Sequence, residues 1–256
     1  MRIGVAVIAK DEANYVGRAM QSCDFCDAVA LVDGDSTDAT IEVAIGHLMP
    51  VNPNCQWFSA VIPWENDFGA QRQHALDLLM HDPANMPSCM RSTIDGVEYE
   101  PPDWWMRLDS DEAYSSGFRR GVRQLLEMLP QEILAVRVRQ TNLYPDVHRY
   151  VANIGGWETH PRIFRMGPQY QWVGAVHEHV QMMTRDGLVD ISEKQIVSWN
   201  VDVFHYGWLD KSRRHAREDL YTEIPGSGVT KRGDLAERDY HIRLVPALPV
   251  SAGGAE

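Results

Sequence analysis

Three carboxylates, Asp109, Asp111 and Glu112, stand directly behind the apolar run Trp104-Trp105-Met106-Arg107-Leu108. Two aspartates one residue apart can jointly hold a hard divalent cation against phosphate oxygens, because Mg²⁺ prefers oxygen ligands and takes few of them from protein. The same tetrad, Asp109-Ser110-Asp111-Glu112, would also serve as a solvated acidic turn, so its surroundings must decide its meaning.

Three further constellations share its setting at the end of an apolar run. Ala9-Lys10-Asp11-Glu12 closes the first. Asp33-Gly34-Asp35-Ser36-Thr37-Asp38 closes the second; its carboxylates can accept hydrogen bonds from a ribose or a base, and Gly34 permits close backbone approach. Ser36-Thr37-Asp38 would equally cap a helix. In Trp64-Glu65-Asn66-Asp67-Phe68-Gly69-Ala70-Gln71-Arg72-Gln73, Asp67 can cap a helix. Arg72 projects about a turn and a half later, where a guanidinium could meet a diphosphate with paired N–H donors or simply lie on a helix surface.

Chemistry of this kind needs strands to carry it. Ile3 to Ala9 fits a strand buried on both faces, Ala28 to Val32 a second, Phe58 to Ile62 a third and Trp104 to Leu108 a fourth. Helices are expected from Asn14 to Ser22, Thr37 to Leu48 and Ala70 to His81. Phe118, Val122, Leu125, Leu126 and Leu129 recur at helical spacing. The proline-containing stretch from Asp82 to Asp103 reads as a surface excursion. Strand–helix alternation with short loops implies a parallel α/β sheet whose ligands sit at the C-terminal strand ends. After Leu129 the pattern changes. Ile133 to Thr141 alternates as a half-exposed strand does, and the segments beyond it imply a mostly antiparallel, loop-rich second half. Ala247 to Glu256 has little to bury and reads as a tail.

The balance of 24 Lys and Arg against 36 Asp and Glu, net −12, argues against a general nucleic-acid or anionic-lipid surface. The first residues lack a signal-peptide pattern and no run approaches a membrane span, so the chain reads as soluble and cytoplasmic. Cys23 and Cys26 have a C-x-x-C spacing without a second pair, and read as ordinary reduced thiols.

Taken in order, Ile8-Ala9-Lys10-Asp11-Glu12-Ala13-Asn14 and Leu31-Val32-Asp33-Gly34-Asp35-Ser36-Thr37-Asp38-Ala39-Thr40 resemble the entry of family 2 glycosyltransferases with the GT-A fold. Asp67-Phe68-Gly69-Ala70-Gln71-Arg72 is similar to their Asp-Phe-x-x-x-Arg segment, though Gln73 stands where Asn is common. Trp104 to Glu112 resembles their Asp-x-Asp strand. Arg162-Ile163-Phe164-Arg165, Gly174-Ala175-Val176-His177-Glu178 and Phe204-His205-Tyr206-Gly207-Trp208 resemble segments of the bacterial branch that glycosylates lipopolysaccharide cores and proteins.

The resemblance implies one GT-A domain over 1–235, with a nucleotide-sugar half (1–115) and an acceptor half (116–235), followed by a tail (236–256). It implies that Ala9, Lys10, Glu12, Asp33, Asp35, Asp67, Arg72 and Asp109 hold the nucleotide of a nucleoside-diphosphate sugar, a UDP-sugar foremost. Asp109 and Asp111 would hold Mn²⁺ or Mg²⁺, with His205 or His177 as a third ligand or as structural hydrogen-bonders. Lys211, Arg213 and Arg214 would clamp the diphosphate or begin a solvated helix. An inverting enzyme needs a base to take the acceptor proton. Glu178 is the expected one, with Glu158 and Asp146 as substitutes. Trp157 and Trp172 are candidate platforms for an acceptor ring. That acceptor could be a glycan, a protein side chain, a small molecule or a modified nucleic-acid base. A nucleotidyltransferase and a non-catalytic nucleotide-sugar-binding module are the competing readings.

Overall fold

A computed structural model describes residues 1–80, 99–151, 158–209, 224 and 242–244. Four parallel strands open the chain: β1 (Ile3–Ala9), β2 (Ala28–Asp33), β3 (Gln56–Val61) and β4 (Trp104–Asp109). Every residue of β1 and β2 is buried, which is why they read as unbroken apolar runs: layers cover both faces of the sheet. Side chains alternate between those layers. Ile3, Val5 and Val7 face one core with Val16 and Met20 of α1 (Val16–Gln21) and Ala44 and Leu48 of α2 (Thr40–Leu48). Ala6 and Ile8 face the other, with Ala75, Leu76 and Leu79 of α3 (Phe68–Met80).

The helices run close to their expected spans, and the late start of α2 has a local cause. Thr37 is drawn out of the helix by Asp11, whose carboxylate accepts its N–H at 2.7 Å. The Asp38 carboxylate accepts the Thr40 N–H at 3.0 Å, so the helix begins at Thr40. Helix α4 (Ser116–Met128) is capped by Ser115, whose hydroxyl accepts the Phe118 N–H at 3.2 Å. Its Phe118, Val122 and Leu126 complete the core on the α1 side.

The second half departs from expectation. Instead of a separate antiparallel unit, it widens the first sheet into a mixed one. Its strands are β5 (Glu112–Tyr114), β6 (Ala135–Asn142), β8 (Glu158–Arg165) and β12 (Ile196–His205), and the order is β3-β2-β1-β4-β8-β6-β12-β5. Strand β8 lies antiparallel to both β4 and β6, while β6 and β12 are parallel. Strand β6 is therefore interior rather than half-exposed. Its Arg137 and Arg139 remain charged by pairing with Glu193 and Asp202. Strands β9 (Tyr170–Val173), β10 (His179–Thr184) and β11 (Gly187–Asp190) form a small antiparallel sheet in the order β11-β10-β9. Within the stretch expected to be a tail, β13 (Ile242–Leu244) pairs with β7 (Arg149–Val151).

Cys23 and Cys26 are buried free thiols that donate to the carbonyls of Ala19 and Cys23, at 3.4 and 3.1 Å. Burial pushes the Cys26 thiol well up. Among the described residues no helix is long and apolar enough to cross a membrane.

Candidate active site

Strand β1 has β2 on one side and β4 on the other, so the chain order reverses there. Such a switch point opens a crevice beyond the C-terminal strand ends. Register puts the expected residues side by side at that edge, Ala9 opposite Asp33 and Ile8 opposite Asp109.

The loops after β1 and β2 are interlocked. Lys10 Nζ donates to the carbonyls of Gly34 and Asp35 at 2.9 and 3.1 Å. The Asp11 and Glu12 N–H groups donate to Ser36 Oγ and Thr40 Oγ1 at 2.7 and 2.8 Å. Asp11 and Asp35 take left-handed backbone, φ 53° and 67°. Chiefly the Thr37 N–H holds the Asp11 carboxyl below its ordinary value, against a smaller opposing effect of burial. Asp33 is buried, and its carboxylate closes its own turn by accepting the Ser36 N–H and Oγ–H at 2.7 and 2.6 Å. These residues thus form a rigid rim, from which the Asp35 side chain is exposed.

Asp67 caps α3 by accepting the Ala70 N–H at 2.8 Å. The start of α3 is pressed against the β9–β10 turn: the Phe68 N–H donates to the Ala175 carbonyl at 2.9 Å, and a Cβ on Gly69 would lie 2.4 Å from the Gly174 carbonyl. Only glycine fits. This contact aims Arg72 into the site, where it is buried. Its Nη1 and Nη2 donate to the two oxygens of Asp109 at 2.5 and 3.1 Å, and its Nε donates to Glu178 Oε1 at 2.7 Å. Burial alone would lower the Arg72 pKa, but Asp109 and Glu178 outweigh it and hold it above the ordinary value.

Glu178 Oε1 also lies 3.7 Å from Arg107 Nη1. Arg107 is buried and its Nε has no hydrogen-bond partner. Burial, with Arg162 and Arg72 as like charges, pushes its pKa down to about 10. Trp172 is not an open platform. It is buried beside Trp105, and the Arg72 and Arg107 guanidiniums lie 5.5 and 5.7 Å from its ring centroid.

Asp111 faces a different partner. The turn after β4 leads into β5, and pairing of Glu112 with His205 brings the end of β12 alongside. The Tyr206 N–H donates to the Asp111 carbonyl at 2.8 Å, and His205 Nε2 stands 3.1 Å from Asp111 Oδ2, both side chains buried. Gly207 closes over the pair, since a Cβ there would lie 2.2 Å from Asp111 Oδ2 and 2.9 Å from His205 Nε2. Glu112 is held by Arg162 through bonds of 2.6 and 2.7 Å, and accepts the Asp109 N–H at 3.1 Å.

A carboxylate and an imidazole suit Mn²⁺ or Mg²⁺, and Asp111 with His205 forms that donor pair. Asp109 is instead turned to Arg72, and His177 is exposed in the β9–β10 turn at φ 53°. Among the described residues, no group of three or more His, Cys, Asp and Glu side chains is gathered for a metal ion. Asp146 is engaged by Arg149 at a surface turn. Trp157, Lys211, Arg213, Arg214 and the Glu158 side chain lie outside the described residues. Sequence reasoning missed Arg107, Gln140 and Asn142. The one available signal was a lone arginine inside the apolar strand β4.

No protein-family model matches the chain, and no curated protein matches it. Among solved structures, it is remotely similar to several glycosyltransferases. The Pyrobaculum calidifontis mannosyltransferase PcManGT, in complex with GDP-Man and Mn²⁺, is 12% identical over 87% of this chain and 61% of that one, TM-score 0.45. Glucosyl-3-phosphoglycerate synthase from Mycobacterium tuberculosis, in complex with Mg²⁺ and UDP, is 14% identical over 96% and 87%, TM-score 0.42. Staphylococcus aureus TarS is 14% identical over 56% of this chain, which spans 37% of that structure, TM-score 0.40.

Proposed function

We propose that this chain is an inverting, metal-dependent glycosyltransferase of the GT-A type that moves a sugar from a nucleoside-diphosphate sugar to an acceptor hydroxyl. One observation carries this reading: at the switch point beside β1, the ends of β2, β1 and β4 present Asp33, Ala9 and Asp109 in a row, with the Asp111–His205 pair beyond them. Residues 1–235 form the transferase domain and 236–256 its tail.

In this reading the rim of Ala9, Lys10, Glu12, Asp33 and Asp35, with Asp67 at the start of α3, receives the nucleotide. Arg72 and Arg214 meet the diphosphate, and Asp109 orients the donor. Asp111 and His205 hold Mn²⁺ or Mg²⁺, with Asp109 and His177 able to join them. The cation supplies Lewis-acid stabilisation of the departing diphosphate. Glu178 takes the proton from the acceptor hydroxyl as the acceptor oxygen bonds to the anomeric carbon and the bond to the diphosphate breaks. Both of its arginine contacts are made to Oε1, leaving Oε2 outside that ion pair.

The test is thermal denaturation against UDP- and GDP-sugars with and without Mn²⁺. A ligand at about 100 times its Kd adds about 2.7 kcal/mol to stability. A rise in Tm requiring nucleotide and cation together, and absent in Asp111→Asn, is expected. No shift under any condition would remove the donor-binding assignment.

A further inference from the structure

The chemistry of one buried chain of side chains fixes which nitrogen of His205 carries the proton. Arg162, fully buried, donates to Gln140 at 2.5 Å. A guanidinium can only donate, so the Gln140 atom that it meets is the carbonyl oxygen Oε1. The other end of that amide is therefore NH₂. It lies 3.3 Å from Asn142 Oδ1 and 3.2 Å from His205 Nδ1. Facing an NH₂ donor, Asn142 presents its oxygen. That oxygen stands 2.6 Å from His205 Nδ1, a separation suited to N–H···O and too short for a bond between two nitrogens.

Nδ1 thus bears the hydrogen and donates to Asn142. In a neutral ring the remaining nitrogen, Nε2, is then a bare lone pair. It is aimed at Asp111 Oδ2, a second acceptor 3.1 Å away. Two acceptors in a buried contact repel each other unless a cation lies between them.

We propose that Arg162, Gln140 and Asn142 are positioning residues that lock His205 in the Nδ1–H tautomer, keeping Nε2 and Asp111 jointly available to a divalent cation. The proposal rests on the reading that Asp111 and His205 hold the metal. The anchor of the relay is itself tied to the site: Arg162 grips Glu112, and Glu112 accepts the Asp109 N–H. One buried arginine therefore sets both the imidazole and the backbone of the first aspartate. Outer hydrogen bonds of this type typically change metal affinity about 10- to 100-fold.

The experiment is ¹⁵N NMR of the imidazole rings in metal-free, histidine-labelled protein, at a pH where the rings are neutral. The chain has ten histidines, so the His205 signals are assigned by their loss in His205→Gln. Mn²⁺ binding is followed in parallel by electron paramagnetic resonance. Wild type is expected to show an Nδ1–H ring. Asn142→Leu should switch it to Nε2–H, donating to Asp111, and weaken Mn²⁺ binding at least about tenfold. Asn142→Asp, which keeps an acceptor at that position, should restore the Nδ1–H ring.

The wild-type spectrum decides the tautomer even where Asn142→Leu does not fold. An Nε2–H ring there, or a ring still doubly protonated at the highest pH at which the protein stays folded, would overturn the lock. If Mn²⁺ nevertheless binds, the metal reading survives without it. An Nδ1–H ring in a protein that binds no Mn²⁺ would uphold the relay's polarity and overturn the cation as its purpose.

Discussion

Arg72 and Asp109 meet as a fork on a fork, with two N–H···O contacts of 2.5 and 3.1 Å between residues 37 positions apart. The same guanidinium reaches Glu178 through Nε. One buried cation thus holds together the strand end that carries the acidic pair and the turn that carries the expected base.

Replacing Arg72 by Met leaves two carboxylates without their shared cation. Breaking a buried ion pair from one side costs about 3–5 kcal/mol. Arg72→Lys, which offers one nitrogen in place of a fork, should recover only part of that. Urea denaturation of the two variants measures both numbers, and a loss below about 1 kcal/mol for Arg72→Met would show that the ion pair does not support the fold.

Burial would raise the Asp109 carboxyl, but Arg72, followed by Arg107 and Arg162, outweighs it and leaves the pKa well below its ordinary value. A carboxyl depressed in the folded state binds fewer protons than in the unfolded chain. Its contribution to stability is therefore complete above the unfolded value of about 3.9 and fades as pH falls below it. The acid limb of the stability–pH curve, measured in chelator, should be shallower in Asp109→Asn than in wild type. Parallel curves would mean that another group sets that limb.

Arg107 runs the other way. Its pKa is pushed down to about 10, so a charged Arg107 opposes folding at every pH below that value, and the opposition lifts as pH rises through it. Arg107→Met, which keeps the packing on Trp172 and leaves Glu178 to Arg72, should raise stability at neutral pH by about 1–4 kcal/mol. Differential scanning calorimetry checks this. A lower Tm would mean that the contact with Glu178 outweighs the cost of burial.

Gly207→Ala would insert a methyl group where Asp111 Oδ2 now lies, 2.2 Å away. The acid must move off His205. Mn²⁺ affinity is expected to fall about 10- to 100-fold. Isothermal titration gives the affinity and circular dichroism the fold; unchanged affinity would place the metal elsewhere.

Glu178→Gln preserves shape and removes the base. General-base loss typically costs about 10²- to 10⁴-fold in rate. Turnover with the preferred nucleotide sugar should fall by that amount, with the KM for donor little changed. Turnover near the wild-type level would transfer the role to another carboxylate.

Much of this arrangement was legible along the chain because it is local. Strand β1 is an unbroken apolar run because both faces are covered, and Asp67 and Ser115 cap helices through N–H groups three residues ahead. The strand-end loops follow from the same short-range order, and with them the row formed by Asp33, Ala9 and Asp109. What tertiary structure alone decided is which charges meet. Arg72 and Glu178 are 106 residues apart, Asp111 and His205 94, and Arg162 and Glu112 50. Such partners are chosen by strand order, and the antiparallel insertion of β8 between β4 and β6 is what carries Arg162 beneath the acidic tetrad. Residue types and spacing marked Asp109 and Asp111 as a pair. Packing separated them, because a buried carboxylate turns to whichever cation or donor the fold sets beside it: Arg72 for one, His205 for the other.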